Sequence, residues 1–528
     1  MQSARQGHLR GLLAWVLCGL VLCTSLVVVP ATCTSLHGWV FGHPHAPELD
    51  ADFGDFASLV EHMQANAAAA GEEFFLFDSG DLIEGTGLSD ATDVHGEYIF
   101  PVVQMVNGYT GLTMGNHDIG HDNVIELMQR SFIPHFNATY LTDNSLIKQT
   151  GKMIGGPFYS FRTALGMNCL VMGYMFNFTQ PAPMAEVTPV SQSLLEAYFK
   201  QAMQIKNVDM IVVVAHIDPT TPPELSQIYA ALRKAQPTVP LVLLSGHRHI
   251  TYFSWLDPNA FTMESGKYFE VVGHVTFDID QDHQITQFQQ EWVNTSRSNF
   301  YSLAKKNAGN FLTERGRKTK NFIYSAFDKL QLNVTLGCSP VTLSPDASYT
   351  SSDSLYHFYV NNIVPAVVFN TSLGRTSFFI TNDGALRYEL YEGRVSMNDV
   401  YTVLPFKDTF YYFLLTGDQL RQTLAFLTKN KQLLNTGRVP YVSRLRDHHR
   451  KRDISDRFFF SDIAVESNQV YAVVLAEYDS VTLAMVLRQL FPAGKWAASP
   501  YPTAFSSTSA LRAFVQAQWP CRPSCPCA

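Results

Sequence analysis

Histidines, carboxylates and an amide recur at one kind of place in this sequence, directly after short apolar runs. Tyr109 to Met114 leads into Gly115-Asn116-His117-Asp118, and Phe74-Phe75-Leu76-Phe77 leads into Asp78-Ser79-Gly80-Asp81. Met210 to Ala215 ends in His216, and Pro240 to Leu244 runs into Ser245-Gly246-His247-Arg248-His249. Singly, each has an ordinary reading: Asp81 as a helix N-cap, Asn116 as a turn residue, any one His as a core or surface imidazole. Their joint placement, with His37 upstream, does not. Imidazoles and carboxylates without thiolates suit Zn, Mn, Fe or Co. One carboxylate among several imidazoles suits two ions bridged by Asp81, roughly 3.5–4 Å apart, clamping the attacking and leaving oxygens of a phosphoryl transfer. Such ions also lower the pKa of bound water, so that hydroxide exists at neutral pH.

The elements that must position these residues are legible from the same runs. Short fully apolar segments read as buried strands, and helical patterns lie between them at Phe56 to Ala70, Ser191 to Ile205 and Pro223 to Lys234. Alternation of this kind predicts an α/β domain with sheets buried on both faces, and ligands then bind outside the carboxyl ends of the strands. The polar residues fall at those ends.

Taken in order, Gly80-Asp81, Gly115-Asn116-His117-Asp118, Ala215-His216 and Gly246-His247-Arg248-His249 resemble the signature of the metallophosphoesterase (calcineurin-like) superfamily. The likeness covers about residues 32–290. A narrower one follows in Asn382-Asp383-Gly384-Ala385-Leu386-Arg387, Gly393-Arg394-Val395-Ser396, Val403-Leu404-Pro405-Phe406 and Leu415-Thr416-Gly417. These are similar to the C-terminal domain of the 5′-nucleotidase/UDP-sugar hydrolase family, and Gly87 to Thr92 resembles its secreted eukaryotic members. The resemblance implies an N-terminal α/β/β/α sandwich followed by a second α/β domain. It makes Asp81 the bridging ligand, puts His37 and His249 on one ion, and puts Asn116, His216 and His247 on the other. His117 would donate to the phosphoryl group or protonate the leaving oxygen. Arg387 and Asn382 would contact substrate, Phe406 would stack the base, and one domain would close over the other.

Three positions depart from the family pattern. Its opening Asp-x-His is Ser35-Leu36-His37 here, so the first metal site lacks a carboxylate. The acid expected three positions after His117 is Gly120, although Asp118 is present. The second stacking ring has no clean match, Tyr478 standing nearest to its place.

Composition limits the rest. The chain has 528 residues, 46% apolar and 16% charged, with a net charge of −8. That suits two sizeable cores and gives no support for nucleic-acid binding, so attraction of an anionic substrate must be local. A basic start and the uncharged run Gly11 to Val29 read as a signal peptide or signal anchor (1–31), with membrane attachment only if it stays uncleaved. Sequons at Asn137, Asn177, Asn294, Asn333 and Asn370 fit a secreted glycoprotein. Cys18 and Cys23 lie in the leader; among Cys33, Cys169, Cys338, Cys521, Cys525 and Cys527 some should pair in an oxidising compartment. Expected boundaries are 32–290 for the first domain, 291–335 for a linker helix with a solvated basic face, 336–518 for the second domain and 519–528 for a Cys/Pro-rich tail. Residues 444–453 read as an exposed charged insertion. The expected function is a secreted dinuclear-metal phosphohydrolase acting on a nucleotide or similar small phosphomonoester. Its alternatives are a catalytically impaired binding ectodomain, because of Ser35, and a phosphodiesterase.

Overall fold

The computed structural model describes residues 24–29, 35–221, 223–369, 377–382, 384–429, 440–442, 466–492, 501–522 and 525. Most of the expected leader with Cys18 and Cys23, together with Cys33, Asn370, Cys527 and the charged insertion 444–453, lies outside the described residues.

In the first half two sheets face each other. One runs in the order Ile285–Asn294, Val271–Ile279, Thr24–Val29, Glu73–Asp78, Tyr109–Leu112. The other runs Thr251–Asp257, Ala260–Ser265, Leu241–Leu244, Met210–His216, Asn168–Met175, Phe158–Arg162. Side chains alternate across a strand, so a run apolar at every position must be covered twice. Phe75 and Phe77, Val212 and Val214, Val242 and Leu244, and Val275 and Phe277 fill the space between the sheets. Leu76 turns outward under the helices Phe53–Ala70 and Glu314–Lys329. Ile211, Val213, Leu241 and Leu243 turn outward under Ala197–Met203 and Glu224–Ala235. The result is an α/β/β/α sandwich, as expected.

Two details differ from the sequence reading. Thr24–Val29, counted there in the leader, pairs parallel with Glu73–Asp78 and antiparallel with Val271–Ile279, so a first domain begun at residue 32 leaves out one strand of its own sheet. A β-branched apolar run satisfies both a leader and a two-faced strand, and composition does not separate them. The basic helix Glu314–Lys329 is not simply solvated: Lys320 reaches Asp52 (2.6 Å) and Asp55 (3.0 Å), and Arg315 reaches Glu61 (2.7 Å). Asp52 and Asp55 form the capping box that starts Phe53–Ala70, and Lys320 neutralises them where the helices pack.

The second half is a mixed sheet, in the order Pro440–Val442, Ser377–Asn382, Val470–Ala476, Thr409–Thr416, Tyr501–Ser506. Phe378, Ile380, Val473 and Leu475 pack with Leu424 and Leu487 of the helices Gly417–Lys429 and Glu477–Leu490. Phe379, Phe410 and Val474 face Ser507–Gln518 and the helical stretch 355–369. Cys338 and Cys525 form a disulfide, and Cys169 is buried as a free thiol. The halves meet along a polar seam: the Gly87 N–H donates to Asn398 Oδ1 (3.1 Å), His45 Nε2 to Asp399 (3.0 Å), and Tyr388 Oη lies 3.0 Å from His43 Nδ1.

Candidate active site

All the ligand-type residues singled out in the first half gather at the carboxyl ends of the two sheets. Asp81 follows the strand Glu73–Asp78, Asn116 and His117 follow Tyr109–Leu112, His216 ends its own strand, and His247 and His249 follow Leu241–Leu244. Two glycines make the meeting of the loops feasible. A Cβ on Gly115 would fall on the Asp81 carboxylate, and one on Gly80 (φ +90°) would fall on the backbone of Met114 and Gly115. Beneath them Asp118 accepts the N–H groups of Asp81 (2.8 Å), Leu82 (2.9 Å) and Gly115 (2.8 Å), clamping one loop to the other. The carboxylate read as an orienting group thus orients backbone.

Donor atoms converge on Asp81. His216 Nε2 lies 3.0 Å from Asp81 Oδ2, His37 Nε2 lies 3.7 Å from the same oxygen, and His37 Nε2 lies 3.1 Å from His249 Nε2. His37, Asp81 and His249 form one compact donor group, and Asp81, His216 and His247 another. Hydrogen bonding sets the tautomers: His37 Nδ1 donates to the Glu84 carbonyl (2.7 Å), and His216 Nδ1 to that of Ser79 (2.8 Å). In the neutral rings both Nε2 atoms therefore present a lone pair on the side of the Asp81 carboxylate. The Asn116 Oδ1 is buried with no partner. Such a set of lone pairs fits two divalent cations sharing Asp81.

Electrostatics divide the cluster: His37 and His249 are held neutral, whereas the Asp81 carboxylate outweighs burial at His216 and raises it. Burial, with the charge of His117 adding, holds His37 well below the usual imidazole range, and burial with His37 and Arg387 nearby does the same to His249. Burial also opposes ionisation of Asp81, but His216, His117 and His37 outweigh it and hold its carboxyl well below the usual range. Backbone strain marks the same place. Ser35, His37, Asp81, Glu84, His247 and His249 all have φ between 50° and 81°. Positive φ costs a non-glycine residue roughly 1–3 kcal/mol, and it persists where function over-determines the loop.

Glu84 was missed in the sequence. Its Oε2 holds His117 Nδ1, its Oε1 accepts from His121 Nε2 (2.8 Å) and His95 Nδ1 (3.1 Å), and its carbonyl holds His37. The acid sought three positions after His117, where Gly120 stands, is supplied three positions after Asp81 instead. The spacing in Asp81-Leu82-Ile83-Glu84 was the available signal.

From the second half, Phe406 stacks over the His117 ring at 6.1 Å, and the Arg387 guanidinium lies 5.7 Å from the centre of the Phe406 ring. Arg387 is 7% exposed, and its Nε and one terminal nitrogen are buried without a partner. Asn382 is turned to another use, donating to the Asp479 carboxylate (3.0 and 3.1 Å) and accepting from Gly384 N–H (2.8 Å). The side chain of Tyr478 lies outside the described residues.

The calcineurin-like phosphoesterase family matches residues 36–251, and the C-terminal domain of NAD nucleotidase matches residues 344–469. The first half of the chain thus carries a calcineurin-like phosphoesterase domain, and the second a nucleotidase-type C-terminal domain. Its fold is that of the Candida albicans 5′-nucleotidase, with a TM-score of 0.80 at 21% identity over 94% of this chain and 99% of that one. An uncharacterized protein of Schizosaccharomyces pombe is 28% identical over 412 residues, 72% of this chain and 68% of the relative. A secreted protein of Arthroderma benhamiae is 26% identical over 425 residues, 72% of this chain and 64% of the relative. No helix among the described residues is long and apolar enough to cross a membrane.

In this phosphoesterase the weak point is Ser35. Its N–H donates to the Gly80 carbonyl (3.0 Å), its carbonyl accepts from Tyr268 N–H (2.9 Å), and its buried hydroxyl has no partner. A neutral oxygen thus stands where a carboxylate ligand is expected. Ser35→Asp should tighten Zn2+ binding about tenfold, or about 1.4 kcal/mol. Competition with a chromophoric chelator reads this directly, and unchanged affinity would mean that residue 35 is not a ligand position.

Proposed function

We propose that this phosphoesterase is a dinuclear-metal 5′-nucleotidase-like hydrolase, exported from the cell, that cleaves a nucleotide or similar small phosphomonoester between domains 32–290 and 336–518. The observation that carries the reading is Arg387, an unpaired and nearly buried guanidinium reaching from the second half over the donor cluster of the first. An uncompensated buried cation is costly, and a phosphate dianion is the partner that suits its planar fork. Phe406 offers a flat face for a base beside it. Two divalent ions in the Asp81 sets would supply an activated water and charge neutralisation for the phosphoryl oxygens.

The chain's own residues do the rest. Arg387 binds and orients the phosphate. With Nδ1–H of His117 committed to Glu84, the proton that can leave is the one on Nε2, and it goes to the departing ester oxygen. Phe406, stacked on that ring, restricts water on its other side.

His117→Asn should lower kcat for an alkyl or nucleoside phosphate about 10²–10⁴-fold. For p-nitrophenyl phosphate, whose leaving group needs no proton, the loss should be far smaller. Equal losses on both substrates would remove His117 from the role of acid. A binder without turnover, the reading favoured by Ser35, predicts no hydrolysis of either ester by the wild type.

Export rests on the apolar run before Pro30 and on the exposure of Asn137, Asn294 and Asn333; Asn177 is partly buried and accepts from Val190 N–H (2.8 Å).

A further inference from the structure

We propose that Glu84, His95 and His121 form a third divalent-cation site, separate from the two sets that share Asp81 and joined to them through Glu84. Glu84 Oε1 lies 2.8 Å from His121 Nε2 and 3.1 Å from His95 Nδ1, and the three donor atoms lie within 4.8 Å of one another. The His95 and His121 rings meet edge to face at 5.0 Å and 70°, which lets both nitrogens aim at one point. With metal–ligand bonds of about 2.0–2.2 Å, donors of a tetrahedral shell stand about 3.3–3.6 Å apart, so a slight outward shift admits an ion. Asp90 Oδ1, 3.7 Å from the same His95 nitrogen, stands ready as a further donor.

Charge supports a cation here. Glu84 and Asp90 are almost fully buried, and Asp408 approaches from the second half. Among the described residues no Lys or Arg forms an ion pair with any of the three, and the ion-pair partners of Glu84 and Asp90 are imidazoles. A divalent ion would balance this gathering of buried carboxylates. Imidazole and carboxylate donors without thiolate fit Zn2+ or a neighbouring first-row ion. His121 is half exposed and leaves a side open for entry. Because Glu84 Oε2 holds His117, an ion on Oε1 would fix the carboxylate that positions the acid without touching substrate itself.

Equilibrium dialysis of the chelator-stripped full chain against micromolar Zn2+, followed by elemental analysis, tests the site. His121→Ala and the double variant His95→Ala/His121→Ala should each hold one equivalent less than the wild type, however many the Asp81 sets retain. Asp81→Asn should lose the ions of those sets and keep one. His121 is exposed enough that its variant should melt with the wild type, which separates a lost ion from a lost fold. Equal zinc in wild type and both His variants overturns the proposal, leaving imidazoles that only donate hydrogen bonds to Glu84. Asp81→Asn protein free of zinc overturns it as well, without bearing on hydrolysis at the main centre.

Discussion

Asp81→Asn lowers phosphomonoester hydrolysis by at least about 10³-fold, some 4 kcal/mol of transition-state stabilisation. The substitution keeps the shape of the side chain and an oxygen to accept the His117 N–H, which Asp81 Oδ1 now accepts at 2.9 Å. What it removes is the one charge in the first-half cluster toward which the His37 and His216 Nε2 atoms turn. Metal content should fall with activity, and the melting temperature at neutral pH should fall rather than rise, because His216, His117 and His37 outweigh burial and favour the Asp81 carboxylate in the folded chain. Steady-state kinetics, elemental analysis and a thermal melt on one preparation suffice. Activity within tenfold of wild type would show that the cluster does not drive the reaction.

Arg387→Leu is expected to move activity and stability in opposite directions. Removing a charged donor aimed at a transferring phosphoryl group costs about 10²–10³-fold in kcat/KM. The same guanidinium is buried with unpaired nitrogens and is supported by little beyond the face of Phe406, so an apolar replacement of similar volume should stabilise the fold by roughly 1–3 kcal/mol. Arg387→Lys should recover little, since an ammonium lacks the bidentate fork. A variant both less stable and fully active would make Arg387 a structural residue.

The first half was legible because two-faced burial writes itself as uninterrupted apolar runs. A residue at the end of such a run must lie on the ligand-binding edge, which is how Asp81, Asn116, His216 and His247 could be grouped from sequence. Residues acting across loops were harder. Glu84 serves His117 from another turn, and only the clamp of Asp118 on Asp81, Leu82 and Gly115 brings those turns together. Asn382 looked like Arg387 in kind, a polar residue in a family-like stretch, yet its amide is spent on Asp479 while Arg387 remains unpaired. Thr24–Val29 shows the limit of composition, since apolar β-branched residues say that a segment is buried and not in what. Lys320 was misplaced for the opposite reason: a lysine in a polar helix reads as solvated until the partner helix brings its capping carboxylates alongside.

The bond between Cys338 and Cys525 spans 187 positions and returns the far end of the chain to the strand where the second half begins. That half is therefore gathered into a closed ring, like a bag drawn shut by a string. In the loop-entropy account, closing so long a ring destabilises the unfolded chain by about 5 kcal/mol. The ring encloses Arg387 and Phe406, the residues the second half presents to His117. Reduction of this bond would open the ring without touching a residue of the cluster, loosening the gathered half.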